Sequence, residues 1–227
     1  MKEILDHVIN GGSAKYFSKA YQKDLVTIND VNNYINRTNA NEYELAIIRN
    51  HSRIKTPIKK YGWRNSWNNK MLQQYWNDGC GFVLHTIHLN DELKNLIKFL
   101  EEYSGMQFDS HIYCGKKEST SYEYHCDVSH NLIIQCQGST RWRVYPLITK
   151  QSMTFSEMKL DPVIDVIMNP GDVIWIPMFQ VHYAEPITDR LSVSLPFSLP
   201  CKEKTTIQSP VNFTLNTQRH WRNIDDR

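Results

Sequence analysis

The stretch YEYHCDVSHN, residues 122–131, sets two imidazoles and a carboxylate close together: His125, Asp127 and His130. Three readings compete: a metal grip, a general acid–base pair, and a polar strand edge with no chemistry. On a strand, positions i and i+2 project from one face, which puts the Cα atoms of His125 and Asp127 about 7 Å apart with both side chains aimed into one cavity. His130 falls on the opposite face of a continued strand and reads as a loop residue or a partner behind the site. A neutral imidazole beside an ionised carboxylate suits a divalent first-row metal, and a third ligand is then required. His182, behind the run NPGDVIWIP, is placed where an antiparallel barrel returns the chain to the same mouth. Two histidines and one carboxylate on one face of a metal leave the opposite positions open, the arrangement of non-haem iron(II) oxygen chemistry. The set contains no thiolate, which argues against structural zinc. HxD alone is weak; the downstream histidine behind a PGD turn, in a strand-rich half, is what favours the metal.

The elements that must position these residues change in texture near residue 105. Residues 1–104 read as a helical or mixed region packing on a barrel. The clearest element is NDELKNLIKFLEEYSG, with Asn90 as cap, Asp91 and Glu92 in the first turn, Gly105 as stop, and Leu93, Leu96, Ile97 and Leu100 as the buried face. GCGFVLHTIHL reads as a short strand, and KKYGWRNSWNNKMLQQYW as a loop running into an aromatic-rich helix. Trp63, Trp67 and Trp76 either stack bases or pack helices onto a sheet, and aromatic burial is the commoner role. From residue 108 the chain breaks into short alternating runs punctuated by Gly or Pro: DSHIYCG, YEYHCD, NLIIQCQ, RWRVYPL, PVIDVIM, DVIWIP, VHYAEP and RLSVSLPF. They predict an antiparallel sandwich or barrel over 105–200, with 201–227 as a polar extension. In NPGDVIWIP, Pro170–Gly171 supplies a tight turn, Val173–Ile176 a buried strand, and Pro177 its end.

The formal charge of +2 is too mild to argue for nucleic acid. No apolar run approaches a membrane span, and MKEILDHVINGG is an amphipathic start, so a soluble, cytoplasmic protein is expected. The five cysteines are odd in number and lack CxxC spacing, which predicts reduced thiols. His85, His88 and His111 read as structural or superficial.

The runs HCDVSHNLIIQCQGSTRWRVYP and NPGDVIWIPMFQVH resemble the Jumonji-C (JmjC) cupin-type oxygenases, and WNDGCGFVLHTIHLNDELKNLIKFLEEYSGMQFDSHIYCG is similar to the segment that precedes the metal motif in their ribosomal-oxygenase branch. The resemblance spans roughly residues 76–197 and implies a mainly β fold with flanking helices (α+β), built on a double-stranded β-helix of the jelly-roll or cupin type. It implies Fe(II) held by His125, Asp127 and His182, with 2-oxoglutarate and O2 as cosubstrates. Family members split 2-oxoglutarate oxidatively into succinate and CO2 and insert oxygen into a C–H bond of a second substrate. Tyr122 and Asn131 occupy positions that in relatives help hold the cosubstrate.

Position 140 departs from the pattern. Relatives carry Lys or Arg there to pair with the far carboxylate of 2-oxoglutarate, whereas this chain has Thr140, which brings one hydroxyl and no charge. Strict alternation turns Arg141 and Arg143 to the other face, although a one-residue bulge after Gly138 brings Arg141 inward. Arg190, on the last expected strand, is the other candidate, set against an ordinary salt bridge with Asp189 or Glu185. The leading expectation is a dioxygenase that hydroxylates a side chain of a protein or peptide, with an open mouth lined by residues 61–76. The alternatives are the same chemistry on a small molecule or an RNA nucleoside, and a metal-binding cupin that no longer uses 2-oxoglutarate. Demethylation through hydroxylation of an N-methyl group ranks below stable hydroxylation.

Overall fold

The computed structural model describes residues 1–37, 43–54, 67–85, 89–147 and 161–198. In chain order these form α1 (Lys2–Ile9), β1 (Lys15–Phe17), α2 (Ile28–Arg37), β2 (Leu45–Arg49), β3 (Ser52–Arg53), α3 (Asn69–Asn77), β4 (Gly81–His85), α4 (Asp91–Ser104), β5 (His111–Gly115), β6 (His130–Gln137), β7 (Thr140–Val144), β8 (Ile164–Met168), β9 (Val173–Ile176), β10 (His182–Pro186) and β11 (Arg190–Phe197). All pairings are antiparallel, in a larger sheet ordered β1-β9-β6-β11-β5-β4-β2-β3 and a smaller one ordered β10-β7-β8. Strands from before residue 105 therefore share the larger sheet with the later ones.

Sequence parity decides what each face of the larger sheet meets. Along β11, Leu191, Val193 and Leu195 join a core with Ile4, Leu5 and Val8 of α1 and the apolar stripe of α4. Arg190, Ser192 and Ser194 take the alternate positions and are buried on the other face. There Ile133, Ile174 and Ile176 meet Trp142, Val144, Met168 and Ala184 of the smaller sheet. Two sheets closed face to face with helices over the outer side give the antiparallel sandwich expected from the alternating runs, in the mainly β form that the family resemblance implied.

α4 forms as its residues dictate. The Asn90 side chain accepts from Leu93 N, Asp91 and Glu92 sit in the first turn, and Gly105 ends the helix at φ 69°. Burying Leu93, Leu96, Ile97 and Leu100 contributes roughly 6–12 kcal/mol before chain entropy is set against it. The NPGD turn is equally local. Gly171 holds φ 91°, and a Cβ there would lie 2.7 Å from Tyr21 O. Asp172, buried, accepts from Tyr16 Oη, Lys19 N and Asn169 N, each at 2.8 Å, strapping the β1 segment to β9.

Two expectations are corrected. Residues 122–127 are not a regular strand: His125 makes an isolated bridge to His182 and Asp127 O accepts from Phe179 N at 2.8 Å, so the segment meets β10 and the turn before it without forming a ladder. His130 is no loop residue; it opens β6, buried with its ring stacked 5.2 Å from Trp175 and 5.7 Å from Phe197. Trp67 donates to Leu45 O at 2.7 Å and Trp76 packs edge-on to Phe82 at 5.5 Å, so both serve the core. His85 and His111 meet edge to face at 4.8 Å. Trp63, His88, Cys201, residues 61–66 of the expected mouth and the extension 201–227 lie outside the described residues.

Candidate metal centre

His125 and His182 face each other across one reciprocal pair of backbone hydrogen bonds, His125 N to His182 O at 3.2 Å and His182 N to His125 O at 2.8 Å. Their rings lie 4.4 Å apart. Each ring also meets the backbone two residues earlier: Nδ1–H of His125 donates to Glu123 O at 2.6 Å, and Nδ1–H of His182 to Gln180 O at 2.9 Å. A carbonyl only accepts, so Nδ1 carries a proton in each ring and Nε2 is the nitrogen left to face a metal. Asp127 completes the group, with Oδ2 3.6 Å from His182 Nε2. The candidate ligand atoms of all three residues lie within 4.8 Å of one another.

Their electrostatics suit metal ligation. Burial, reinforced by neighbouring His125 and opposed by Asp127, pushes His182 down to about 4, so it is neutral at physiological pH. For Asp127, burial alone would raise the pKa, but His182, His125 and the Asn131 amide together outweigh it and hold the carboxylate below its usual range. Cys126, between the two ligands, is pushed up to about 11 by burial first and Asp127 second, so it stays a thiol and does not compete. Asn131 Nδ2 donates to Asp127 Oδ2 at 2.9 Å, while its Oδ1 accepts from Ser194 Oγ at 2.5 Å. The amide is thus committed to orienting the carboxylate, although it also borders the cavity.

The cavity beside these ligands is also bordered by Tyr113, Ser121, Tyr122, Trp142, Arg190 and Ser194. Tyr122 meets His125 edge-on at 5.8 Å. Arg190 is buried at 7% exposure, donates through Nη2 to Ser121 Oγ at 2.5 Å, and has no carboxylate partner among the described residues. Its Nε is likewise unpartnered there. The salt bridge with Asp189 or Glu185 does not form: Asp189 accepts from Lys117 N and Glu185 pairs with Arg143 at 3.0 Å.

Arg141 is not in the cavity. It points to the outer face of β7 and grips Asp165 through Nε at 2.6 Å and Nη2 at 2.7 Å. No bulge follows Gly138; the β7 register with β8 and β10 runs unbroken from Thr140 to Val144, and parity therefore turns Arg141 outward. Thr140 faces inward, fully buried, with an Oγ1 that lacks a partner among the described residues. It does not border the cavity directly, yet it sits against the turn that leads into Arg190: Pro186 is its β10 neighbour, and Ile187 N donates to Ser139 O at 3.0 Å.

Ser121, Trp142 and Ser194 were not singled out from sequence. Ser194 shares strand parity with Arg190, a readable signal. Nothing in the sequence marks Ser121 as the group that holds a guanidinium.

The fold and the donor set define the class of protein. The JmjC domain family model matches residues 83–205, more than half of the chain, and the chain belongs to that family. Among curated relatives it is 28% identical over 131 residues to the bifunctional lysine-specific demethylase and histidyl-hydroxylase NO66 of Drosophila persimilis, covering 55% of this chain and 19% of that protein. It is 31% identical over 99 residues to ribosomal oxygenase 2 of Rattus norvegicus, covering 42% of this chain and 21% of that protein. The chain thus spans about a fifth of the length of these relatives. Among solved structures, the Escherichia coli ribosomal oxygenase YcfD in complex with cobalt and succinic acid superposes with a TM-score of 0.61 at 15% identity, covering 87% of this chain and 51% of that one. YcfD in complex with cobalt and 2-oxoglutarate gives a TM-score of 0.57 at 15% identity, covering 87% and 52%. These likenesses establish the shared fold.

Proposed function

We propose that the chain is an Fe(II)- and 2-oxoglutarate-dependent oxygenase that hydroxylates a side chain of a protein or peptide. The observation that carries this reading is a buried guanidinium without a carboxylate partner among the described residues, bordering the same cavity as two histidines with free Nε2 atoms and one carboxylate. The donor set fits: two imidazoles and a carboxylate, without thiolate, suit iron(II). His125, Asp127 and His182 would hold it. When bound, iron with 2-oxoglutarate and O2 supplies the oxidising power, one oxygen atom going to succinate as CO2 leaves and the other to the substrate C–H bond.

The chain's own residues bind and orient. Arg190 receives the far carboxylate of 2-oxoglutarate, where a charge-assisted fork offsets the cost of burying both ions. Thr140, which does not border the cavity, sits beside the turn into Arg190 and adds no charge there. Asn131 keeps Asp127 in one rotamer, and Tyr122 packs against His125 at the cavity wall. The names of the relatives, ribosomal oxygenase and histidyl-hydroxylase, favour a protein substrate. Among the described residues no helix is long and apolar enough to cross a membrane, and Cys80, Cys114, Cys126 and Cys136 are free thiols, which suit a cytoplasmic setting.

Anaerobic titration of the Fe(II) protein with 2-oxoglutarate tests the cofactor half: a visible charge-transfer band and saturable binding are expected, and their absence, with no iron-dependent succinate release, refutes it. Incubation with peptides, free amino acids and nucleosides, followed by mass spectrometry for one added oxygen, tests the substrate class. Turnover of nucleosides or free amino acids alone would overturn the protein assignment.

A further inference from the structure

Asn50 and His51 form the two-residue turn between β2 and β3, and both hold positive φ, at 49° and 63°. Left-handed residues suit the twist of a tight hairpin, but glycine enters that region without the Cβ conflict that histidine bears. The His51 side chain uses the position. Its backbone N–H donates to Thr120 Oγ1 at 3.2 Å, and its ring donates Nδ1–H to Ser121 O at 2.9 Å. The ring also lies 6.5 Å from Tyr183 of β10, so the tip of one sheet meets a strand of the other.

The segment His51 grips leads directly to the cavity. Ser121 Oγ accepts from Arg190 Nη2, and four residues later the chain reaches His125. Beneath it the backbone is pressed close: a Cβ on Gly81 would lie 2.9 Å from Thr120 O, and one on Gly115 would collide with Ser119 Oγ. Glycines on β4 and β5 thus admit the segment from below while the hairpin tip holds it from the side.

We propose that His51 is a positioning residue that acts through Ser121 on the guanidinium of Arg190 and so sets the affinity for a dicarboxylate cosubstrate; this rests on the reading of Arg190 given above. A surface hairpin thereby controls a buried cation it does not touch. The alternative is that His51 only stabilises its own turn.

His51→Gly separates the two. It relieves the left-handed backbone, keeps the N–H to Thr120 and deletes the Nδ1 donor. The expected result is a melting temperature close to wild type, unchanged affinity for cobalt(II), and binding of 2-oxoglutarate to the anaerobic Fe(II) protein weakened roughly three- to tenfold, the worth of one hydrogen bond. His51→Asn, which tolerates the same backbone and carries an amide donor, restores most of that affinity. If the glycine variant does not fold, His51→Phe keeps the ring beside Tyr183, removes only the donor, and is read the same way. Wild-type affinity for 2-oxoglutarate in these variants, or an equal loss of cobalt(II) affinity, overturns the proposal. Arg190→Met is the reference: if it too binds 2-oxoglutarate normally, the reading of Arg190 has failed, whereas weak binding there with normal binding in the His51 variants sinks only the role of His51.

Discussion

Replacing Arg190 with methionine keeps an unbranched apolar stem and removes the charged head. Arg190 is 7% exposed, donates to Ser121 and has no carboxylate partner among the described residues. Burial pulls its pKa down to about 10, with Tyr113, Cys114 and Tyr183 acting the other way. At about 1.4 kcal/mol per pKa unit, holding this cation costs the fold about 3 kcal/mol. The folded pKa lies below the unfolded one, so the penalty is complete below about pH 10 and is relieved only as pH climbs towards the ordinary arginine value. At pH 8 it therefore stands in full. Methionine removes it but strands the Ser121 hydroxyl, at about 1–2 kcal/mol. The variant is expected to be more stable by about 1 kcal/mol, or about 2–4 °C in melting temperature for a chain of this size. Affinity for 2-oxoglutarate moves the other way: a buried carboxylate left without its partner loses about 3–5 kcal/mol, roughly 150- to 5000-fold in Kd. Thermal melts without ligand and anaerobic calorimetric titration of the Fe(II) protein measure the two quantities. A destabilised variant with unchanged affinity would mean that Arg190 belongs to the fold and not to the cosubstrate.

Asn131→Ala deletes the amide that orients Asp127 while sparing every ligand, and cobalt(II) affinity measured against a competing chelator is expected to fall about 10- to 100-fold; an unchanged value would show that Asp127 needs no such support. Arg141→Ala breaks only a surface pair with Asp165, so stability is expected to change by about 1 kcal/mol or less and 2-oxoglutarate affinity not at all; weakened binding would return Arg141 to the cavity. Burial holds His130 below its ordinary pKa, and its Nδ1 accepts from Met178 N at 3.2 Å, a bond only the neutral ring makes. As pH falls through about 6.5 the unfolded chain takes up a proton that the folded chain refuses, so stability drops by up to about 1.4 kcal/mol per pH unit. His130→Phe keeps the stack and flattens that slope in urea titrations between about pH 7.5 and 5, at a cost of about 1–2 kcal/mol at neutral pH for the stranded Met178 N–H; an unaltered slope refutes the assignment.

Features fixed by local chemistry were legible in the sequence. Asn90 and Gly105 bound α4 because a side-chain acceptor and a left-handed C-terminus are needed whatever surrounds the helix. The PGD turn and β9 followed from the same logic, and the convergence of His125, Asp127 and His182 followed from the return of an antiparallel chain to one mouth. What sequence could not supply was the local path of residues 122–127. Period-2 polarity there suggested a strand, but a ladder needs neighbours, and this segment has one reciprocal bond pair with β10. His130 was misplaced for the same reason: parity was carried through a strand that does not exist, although the residue opens the next one.

The position of the cavity cation was undecided for a different reason. Parity alone turned Arg141 outward, and only the geometry of Gly138 could reverse it. That glycine holds φ 62°, and a Cβ on it would collide with Asp189 O. It is spent on bringing the β6–β7 turn against the β10–β11 turn, and the unbroken register that follows keeps Thr140 inside. The same close approach sets Thr140 beside the turn that delivers Arg190. Thr140, buried with an Oγ1 that lacks a partner among the described residues, brings no charge to this end of β7, and Arg190 is the buried cation that borders the cavity.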